Sequence, residues 1–540
     1  MQFLLLKIDT CLFFSQIVLR RLLHSLPTRT GMARHNNMAA TGQVVAILTC
    51  VWLRFMPVAA TAVKGKLHTF PEHLRDVIGF EKLVVDAIGS LPESEEASLY
   101  LQSHEWAVTD TEAAADSDEP DEVIYGNPLH VYALIKRMVL YWKPLRKTLL
   151  GSPFHTEAMA KVQEAEKTLI LPTDEDLVGA AQTIGLLQHV YLLQISHLQQ
   201  GLILNVSSSV RLDIWDCIRV AQGNEALGRL SASYLWYRHA LSLASNVDMS
   251  AHVSALMESV RVKHDTTFKN SSDLYFLEKL AKVPDQELRS SSYSLICRGS
   301  DEGGRTSQAG PPPCHVTTRG SPYFLLQPLR VEVISGDPEI ILFYNFLSDN
   351  EVKVLLQLSQ DKMQQDDHPS RQSHHMLLPN STHPVVESLS RRVAYVTHLH
   401  QYEGTDHTNT AGEQLKVRYY GTGGHLKPHV DTYFRHSNDT NNPLRTPMNL
   451  KIGDRLASLV FYLNDVQAGG ATAFYNLKLL VKPQKGSALF WHNLKRNGEY
   501  DRRLDHGGCP IILGKKWLAI KWIREHLNFL RRPCTTDPEA

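Results

Sequence analysis

The sequence is short of three things. It lacks net charge: Lys+Arg 56 balances Asp+Glu 56, so nothing argues for nucleic acid or an anionic membrane as the main partner. It lacks an apolar run near its start long enough for a spanning helix of ~20 residues. The run at 43–53, "QVVAILTCVWL", has instead the length of a signal peptide, with Arg34 and His35 before it. Small residues follow, and Ala60-Thr61-Ala62 fits a signal peptidase site; a single-pass anchor is the rival reading. An earlier apolar stretch, "FLLLKIDTCLFF", leaves the starting residue open, with Met32 and Met38 as alternatives. The expectation is a leader over 1–62, a mature chain from near Val63, and passage through the secretory pathway. The third scarcity is cysteine, with seven residues, of which Cys11 and Cys50 belong to the leader. In an oxidising compartment the locally spaced couples Cys297 with Cys314 and Cys509 with Cys534 are the natural disulfides, and Cys217 is left as a buried thiol. Sequons at Asn205, Asn270, Asn380 and Asn438 agree with lumenal passage.

What the chain does have is a soluble composition, 43% hydrophobic and 21% charged, over a length that suits about three domains. Residues 63–204 are helical in pattern. "HVYALIKRMVLYWKPL" puts Val131, Leu134, Ile135, Met138, Trp142 and Leu145 on one stripe, and "DEDLVGAAQTIGLLQHVYLL" repeats the device with Ala180, Ile184, Leu187 and Tyr191. The acidic "TDTEAAADSDEPDE" before them reads as a solvated loop. Over 205–290, "LDIWDCIRVAQGNEALGRLSASYLWYRHALSLA" reads as helix, turn, helix, with tetratricopeptide-like spacing. Its aromatics Tyr234, Trp236 and Tyr237 favour core packing over a peptide groove. A Gly/Pro/Ser-rich linker occupies 291–330. From 331 to 540 the texture changes to short β runs, "RVEVI", "IILFY", "EQLKVRYY", "RLASLVFYLND", "KGSALFW" and "CPIILGKKWLAIKW", which predict a sandwich or small barrel. Ser348 and Glu351 predict a capping box that starts a helix among them.

The chemistry concentrates in "GGHLKPHVDTY", 423–433. On a strand, residues two apart share a face, so His429 and Asp431 reach one ion. A zinc pair of His425 and His429 would need a helix, which Gly423, Gly424 and Pro428 oppose. Two histidines and a carboxylate on one face of an octahedron suit Fe(II) and leave three positions open. The best third ligand is His506 in "RRLDHGGCP". Ten residues beyond it stands Lys516, beside Trp517, a cation that burial would make costly unless an anion, such as a dicarboxylate co-substrate, paired with it.

His-x-Asp, a distal His and a Lys ten residues on resemble the prolyl 4-hydroxylase branch of the Fe(II)/2-oxoglutarate dioxygenases. "YYGTGGHLKPHVD", "GDRLASLVFYLNDVQAGGATAF", "KGSALFW", "CPIILGKKW" and "FLRRPC" look like the collagen prolyl 4-hydroxylase alpha subunit, and "GNPLHVYALIKRM", "DEDLVGAA" and "DCIRVA" extend the likeness over nearly the whole chain after the leader. The resemblance implies a multidomain α + β protein: a helical dimerisation region, a tetratricopeptide-like peptide-binding domain and a C-terminal double-stranded β-helix (jelly-roll) catalytic domain. It implies that His429, Asp431 and His506 bind iron, that Lys516 pairs with the distal carboxylate of 2-oxoglutarate, and that Tyr420 and Thr472 help hold that co-substrate. His425 and His492 match no ligand position. It also implies O2 and ascorbate, succinate and CO2 as products, and 4-hydroxylation of peptidyl proline in Gly-X-Y repeats, which would stabilise a collagen triple helix. A second alpha subunit and a protein disulfide isomerase beta subunit are the implied partners. The chain ends "TTDPEA" without a Lys-Asp-Glu-Leu-type signal, so retention in the endoplasmic reticulum lumen would run through that beta subunit.

Two departures bear on substrate. The family's Gly-Gly-x-Tyr-x-Pro-His-x-Asp turn has Leu426 in its tyrosine slot, and the loop "QGNEALGRLSAS" carries none of the tyrosines expected to stack on prolines. The alternatives are therefore the same chemistry on another secreted Pro-rich protein, or a scaffold subunit without turnover.

Overall fold

The structure, a computed structural model, describes residues 71–90, 94–112, 121–151, 156–267, 293–299, 314–366, 373–404, 410–436 and 442–537. The leader, Asn270 and Asn438 lie outside these. Among the described residues no helix is long and apolar enough to cross a membrane.

The helical half comprises α1 (Pro71–Gly89), α2 (Glu95–Glu112), α3 (Pro128–Lys136), α4 (Glu157–Thr168), α5 (Asp174–Tyr191), α6 (Ile214–Ala226), α7 (Leu230–Ser242) and α8 (Val247–Thr267). Local chemistry starts several of them. Asn127 caps α3 ahead of Pro128, and capping boxes start α5 (Thr173 with Asp176) and α6 (Asp213 with Asp216). The predicted stripe of α3 is buried from Val131 to Leu145, but a π turn at Arg137–Tyr141 interrupts it before the helix resumes at Trp142. That turn carries Arg137 inward, where its guanidinium forks onto the buried Glu81 carboxylate at 2.6 and 2.9 Å. The acidic segment is not all loop. Thr109–Glu112 belong to α2, and Asp110 there accepts the amide and hydroxyl of Ser209. Trp236 and Tyr237 are fully buried, as core packing requires.

The C-terminal half is antiparallel throughout. Among the described residues its major sheet has nine strands: β1 (Cys314–Thr317), β2 (Leu329–Gly336), β3 (Glu339–Tyr344), β4 (Gln364–Gln365), β5 (His374–Leu378), β6 (Leu415–Tyr420), β8 (Arg455–Tyr462), β12 (Ala488–His492) and β15 (Lys516–Arg524), in the order β1-β2-β3-β12-β8-β15-β6-β5-β4. A four-stranded sheet, β11-β10-β13-β7, is built from β7 (Leu426–His429), β10 (Thr472–Phe474), β11 (Leu479–Val481) and β13 (His506–Gly508). A two-stranded pair joins β9 (Ala468–Gly469) to β14 (Ile511–Leu513).

Alternation divides the major sheet's two faces. Leu459, Phe461, Phe490 and Ala519 pack against α9 (Asp349–Ser359) and α10 (Pro384–Thr397), through Val352, Leu355, Leu389 and Val393. Ser348 and Glu351 form the expected capping box of α9. The opposite face, Val460, Tyr462, Leu489, Trp491, Leu518 and Ile520, meets Leu426, Phe474 and Val481 of the small sheet. The central strands are thus covered on both sides, and the cavity between the two sheets is where chemistry is possible.

The cysteine pairing differs from expectation. Cys297 bonds Cys509, while Cys314 and Cys534 are exposed free thiols, so neither local couple forms. The reason is tertiary. Residues 293–299 dock on the small sheet, where Tyr293, Ile296 and Cys297 share a buried cluster with Val190, Ala471, Tyr475 and Cys509. Cys314 lies instead on an edge strand opposite Glu332. Cys217 is buried, as expected. Of the described sequons, Asn205 is exposed, whereas Asn380 is half-buried and accepts from the Ser390 hydroxyl at 2.6 Å.

The helical half reaches the cavity rim. Tyr191 of α5 donates to Pro510 O at 2.5 Å, and Gly423, at φ +69°, sits so close to α5 that a Cβ there would lie 2.3 Å from Thr183 Cγ2. Gly423→Ala therefore combines a left-handed conformation with a clash, each costing about 1–2 kcal/mol. A clearly lowered melting temperature is expected; an unchanged one would overturn the close approach.

Candidate active site

His429 and His506 are direct partners where β7 pairs with β13, with ring centroids 4.5 Å apart. Each turns Nδ1 to the carbonyl two residues earlier, Lys427 O at 3.1 Å and Leu504 O at 3.0 Å. A carbonyl only accepts, so Nδ1 carries the proton in both rings and Nε2 is left with a lone pair. Those Nε2 atoms lie 3.6 and 3.8 Å from the two oxygens of Asp431. One ligand atom from each of the three residues falls within 4.8 Å of the others, the one such group of His, Cys, Asp or Glu among the described residues.

Asp431 reaches this position differently from the strand reading. β7 ends at His429, and Asp431 lies in the bend beyond it. What fixes the bend is the buried Asp454 carboxylate, which accepts the successive amides of Tyr433, Phe434 and Arg435 at 2.6, 2.9 and 2.9 Å. Burial alone would raise the Asp431 carboxyl, but the His506 and His429 imidazoles and the Arg455 guanidinium outweigh it and hold it well below the ordinary carboxylate range. Burial pushes His506 down to about 4, with His429 adding to it and Asp431 opposing. Two neutral imidazoles aimed by their own backbone bonds, plus one ionised carboxylate, are the donor set of an Fe(II) site with open positions. The residues fit the metal.

Deeper in the same cavity Lys516 stands directly opposite Tyr420, where β15 pairs with β6. It is 3% exposed, donates to Gly470 O at 2.6 Å and lies over the Tyr462 ring. Tyr462 and Thr472 share a hydrogen bond of 2.8 Å between hydroxyls. Among the described residues Lys516 has no carboxylate partner, and burial lowers it to about 7. A buried ammonium facing a cavity without its anion suits a dicarboxylate. All six expected residues, His429, Asp431, His506, Lys516, Tyr420 and Thr472, therefore line one cavity. Leu426 lines it too, beside Gly508.

His425 is half-buried, bonded to Gly423 O at 2.9 Å and pushed by desolvation down to about 4, and His492 packs on Phe490; neither joins the triad. Sequence reading missed three polar neighbours. Ser458 donates to Asp431 Oδ2 at 2.6 Å. Arg455 forks onto Glu413, donates to Asp431 O at 3.3 Å and lies 3.5 Å over the Trp522 ring. Arg418, fully buried on the cavity wall, pairs with Asp366 at 2.6 Å. Ser458 and Arg455 were findable: alternation along "RLASLVFY" puts Arg455 at the strand's start and Ser458 among apolar residues. Nothing in the sequence points from Arg418 to Asp366.

Fold and site together define an iron- and 2-oxoglutarate-dependent oxygenase, and residues 415–524 match the 2OG-Fe(II) oxygenase superfamily. Residues 71–205 match the prolyl 4-hydroxylase alpha-subunit N-terminal region. The chain is 31% identical over 475 residues to prolyl 4-hydroxylase subunit alpha-3 of Rattus norvegicus, covering 76% of this chain and 84% of that one. It is 27% identical over 524 residues to subunit alpha-2 of Caenorhabditis elegans, covering 88% of this chain and 94% of that one. A solved viral collagen prolyl hydroxylase from Paramecium Bursaria Chlorella virus-1, in its 2OG complex, is 25% identical over 34% of this chain and 95% of its own, at a TM-score of 0.28. The chain belongs to the prolyl 4-hydroxylase alpha subunits. It is a 2-oxoglutarate-dependent dioxygenase that hydroxylates proline, using Fe(II) and O2.

Proposed function

We propose that this chain is the catalytic subunit of a procollagen-type prolyl 4-hydroxylase, with His429, Asp431 and His506 as iron ligands and Lys516 as the 2-oxoglutarate anchor. The observation that carries the reading is Lys516, a buried amine that has no carboxylate partner among the described residues and lies in the cavity that holds the triad. Bound iron, 2-oxoglutarate and O2 supply the oxidation, which converts peptidyl proline to 4-hydroxyproline with release of succinate and CO2. The protein's part is placement. Lys516 neutralises the distal carboxylate, with Tyr420 beside it and the Thr472 hydroxyl near by. His429 and His506 present Nε2 and keep their other protons on backbone carbonyls.

Placement of the peptide falls to the helical half. The α6–α7 hairpin, read as a tetratricopeptide-like unit, would hold an extended Pro-rich segment, and α5 connects it to the cavity rim through Tyr191 and Thr183. The two packed antiparallel sheets support a double-stranded β-helix. A protein disulfide isomerase beta subunit, a second alpha subunit, ascorbate as reductant, and residence in the endoplasmic reticulum lumen complete the reading. The test is 2-oxoglutarate decarboxylation and proline hydroxylation by the iron-loaded assembly with (Pro-Pro-Gly)n beside a non-collagen Pro-rich peptide. Preference for (Pro-Pro-Gly)n of about tenfold or more in kcat/KM is expected. Preference for the other peptide would reassign the substrate, and no turnover with either would make the chain a scaffold.

A further inference from the structure

A hydrogen-bonded chain from Trp491 through Asn493 and Ser458 ends on Asp431. Ser458 on β8 stands directly opposite Trp491 on β12, and Asn493 follows that strand. All three are buried. The indole Nε1 donates to Asn493 Oδ1 at 2.7 Å, Asn493 Nδ2 donates to Ser458 Oγ at 2.9 Å, and Ser458 Oγ donates to Asp431 Oδ2 at 2.6 Å.

The direction of this chain is fixed from one end. An indole N–H only donates, so the oxygen of the Asn493 amide must face Trp491 and its NH2 must face Ser458. Ser458 therefore accepts from Asn493 and has one proton to give. Asn493 Oδ1 lies 3.3 Å from Ser458 Oγ and is the longer, neutral choice; the carboxylate takes the proton. One oxygen of Asp431 is thereby occupied. The same indole lies edge-on to His506, ring centroids 4.8 Å apart at 70°, so one side chain supports two members of the triad.

We propose that Trp491, Asn493 and Ser458 are positioning residues: the proton they direct at Oδ2 holds Asp431 for ligation through Oδ1 alone and sets the site's affinity for metal. This rests on His429, Asp431 and His506 being the iron ligands. Hydrogen bonds to ligating carboxylates are commonly worth a factor of 10–100 in metal affinity.

The test uses the full chain stripped of metal and titrated with Co(II), whose d–d absorption reports both affinity and ligand geometry, alongside the melting temperature of the metal-free protein. Ser458→Ala is expected to weaken Co(II) binding about 10–100-fold and to alter the d–d band, while Ser458→Thr stays within about threefold of the natural chain. Asn493→Asp, which competes for the serine proton instead of donating, is expected to resemble Ser458→Ala. Trp491→Phe keeps the ring against His506, loses the N–H, and is expected to weaken binding a few-fold. Natural Co(II) affinity and spectrum in both Ser458→Ala and Asn493→Asp would overturn the proposal, as would a Ser458→Thr chain no better than Ser458→Ala. A natural chain that binds no Co(II) would instead remove the metal assignment itself.

Discussion

Asp431→Asn is expected to abolish turnover, at least about 10³-fold, or about 4 kcal/mol in barrier. Two effects combine. The substitution removes the only negative charge in the triad, which imidazoles alone do not replace for a hard, oxygen-preferring ion. It also meets a site whose polarity is already fixed. Ser458 points its proton at Oδ2, so an asparagine satisfies that contact by turning its carbonyl oxygen there. Its NH2 then takes the place of Oδ1, which faces His429 Nε2, and an amide nitrogen donates where a ligand must accept. The measurement is kcat of the Fe(II)-loaded assembly together with Fe(II) affinity by calorimetry. Retained activity would sink the iron assignment for Asp431. Lost activity with natural metal affinity would move its role from holding metal to later chemistry.

The contrast between what the sequence revealed and what it withheld follows the range of the interaction. His429 and Asp431 are two residues apart and His506 and Lys516 ten, and those short spacings made the set legible, although Asp431 is aimed by the bend beyond β7 and not by strand alternation. The stripe of α3 and the capping box of α9 were legible for the same reason, since both are local. The π turn at Arg137 was not, because it serves a fork onto Glu81, which belongs to another helix. The disulfide failed most plainly. Sequence distance favoured Cys297 with Cys314, but residues 293–299 dock on the small sheet and bring Cys297 to Cys509 across 212 residues. The polar supports of the site split the same way. Ser458 could be found as the hydroxyl in an apolar strand, whereas Asp454, which shapes the bend holding Asp431, acts across a loop whose path no local pattern states.

Lys516→Ala is expected to raise the 2-oxoglutarate KM by about 100-fold or more, because truncating one member of a buried charge pair costs about 2–5 kcal/mol. The effect should fall on the co-substrate and leave peptide KM nearly unchanged, since Lys516 is buried in the cavity beside Tyr420 and Tyr462. Burial gives the natural enzyme a pH signature as well. Without an anion, desolvation lowers Lys516 from 10.5 to about 7. The distal carboxylate stabilises the ammonium and raises that value in the complex, so binding takes up a proton once the free pocket is deprotonated. Affinity is therefore constant below about pH 7 and weakens above it, approaching tenfold per pH unit until the raised value in the complex is reached. In the natural chain the 2-oxoglutarate KM should climb from pH 7 to 8.5. In Lys516→Ala it should be high and flat over that range. Lys516→Arg, charged at every pH in the range, should recover part of the affinity without the climb. A flat profile in the natural enzyme would mean that Lys516 is not the group the co-substrate must find protonated, and an unchanged KM in Lys516→Ala would take the anchor role from it altogether.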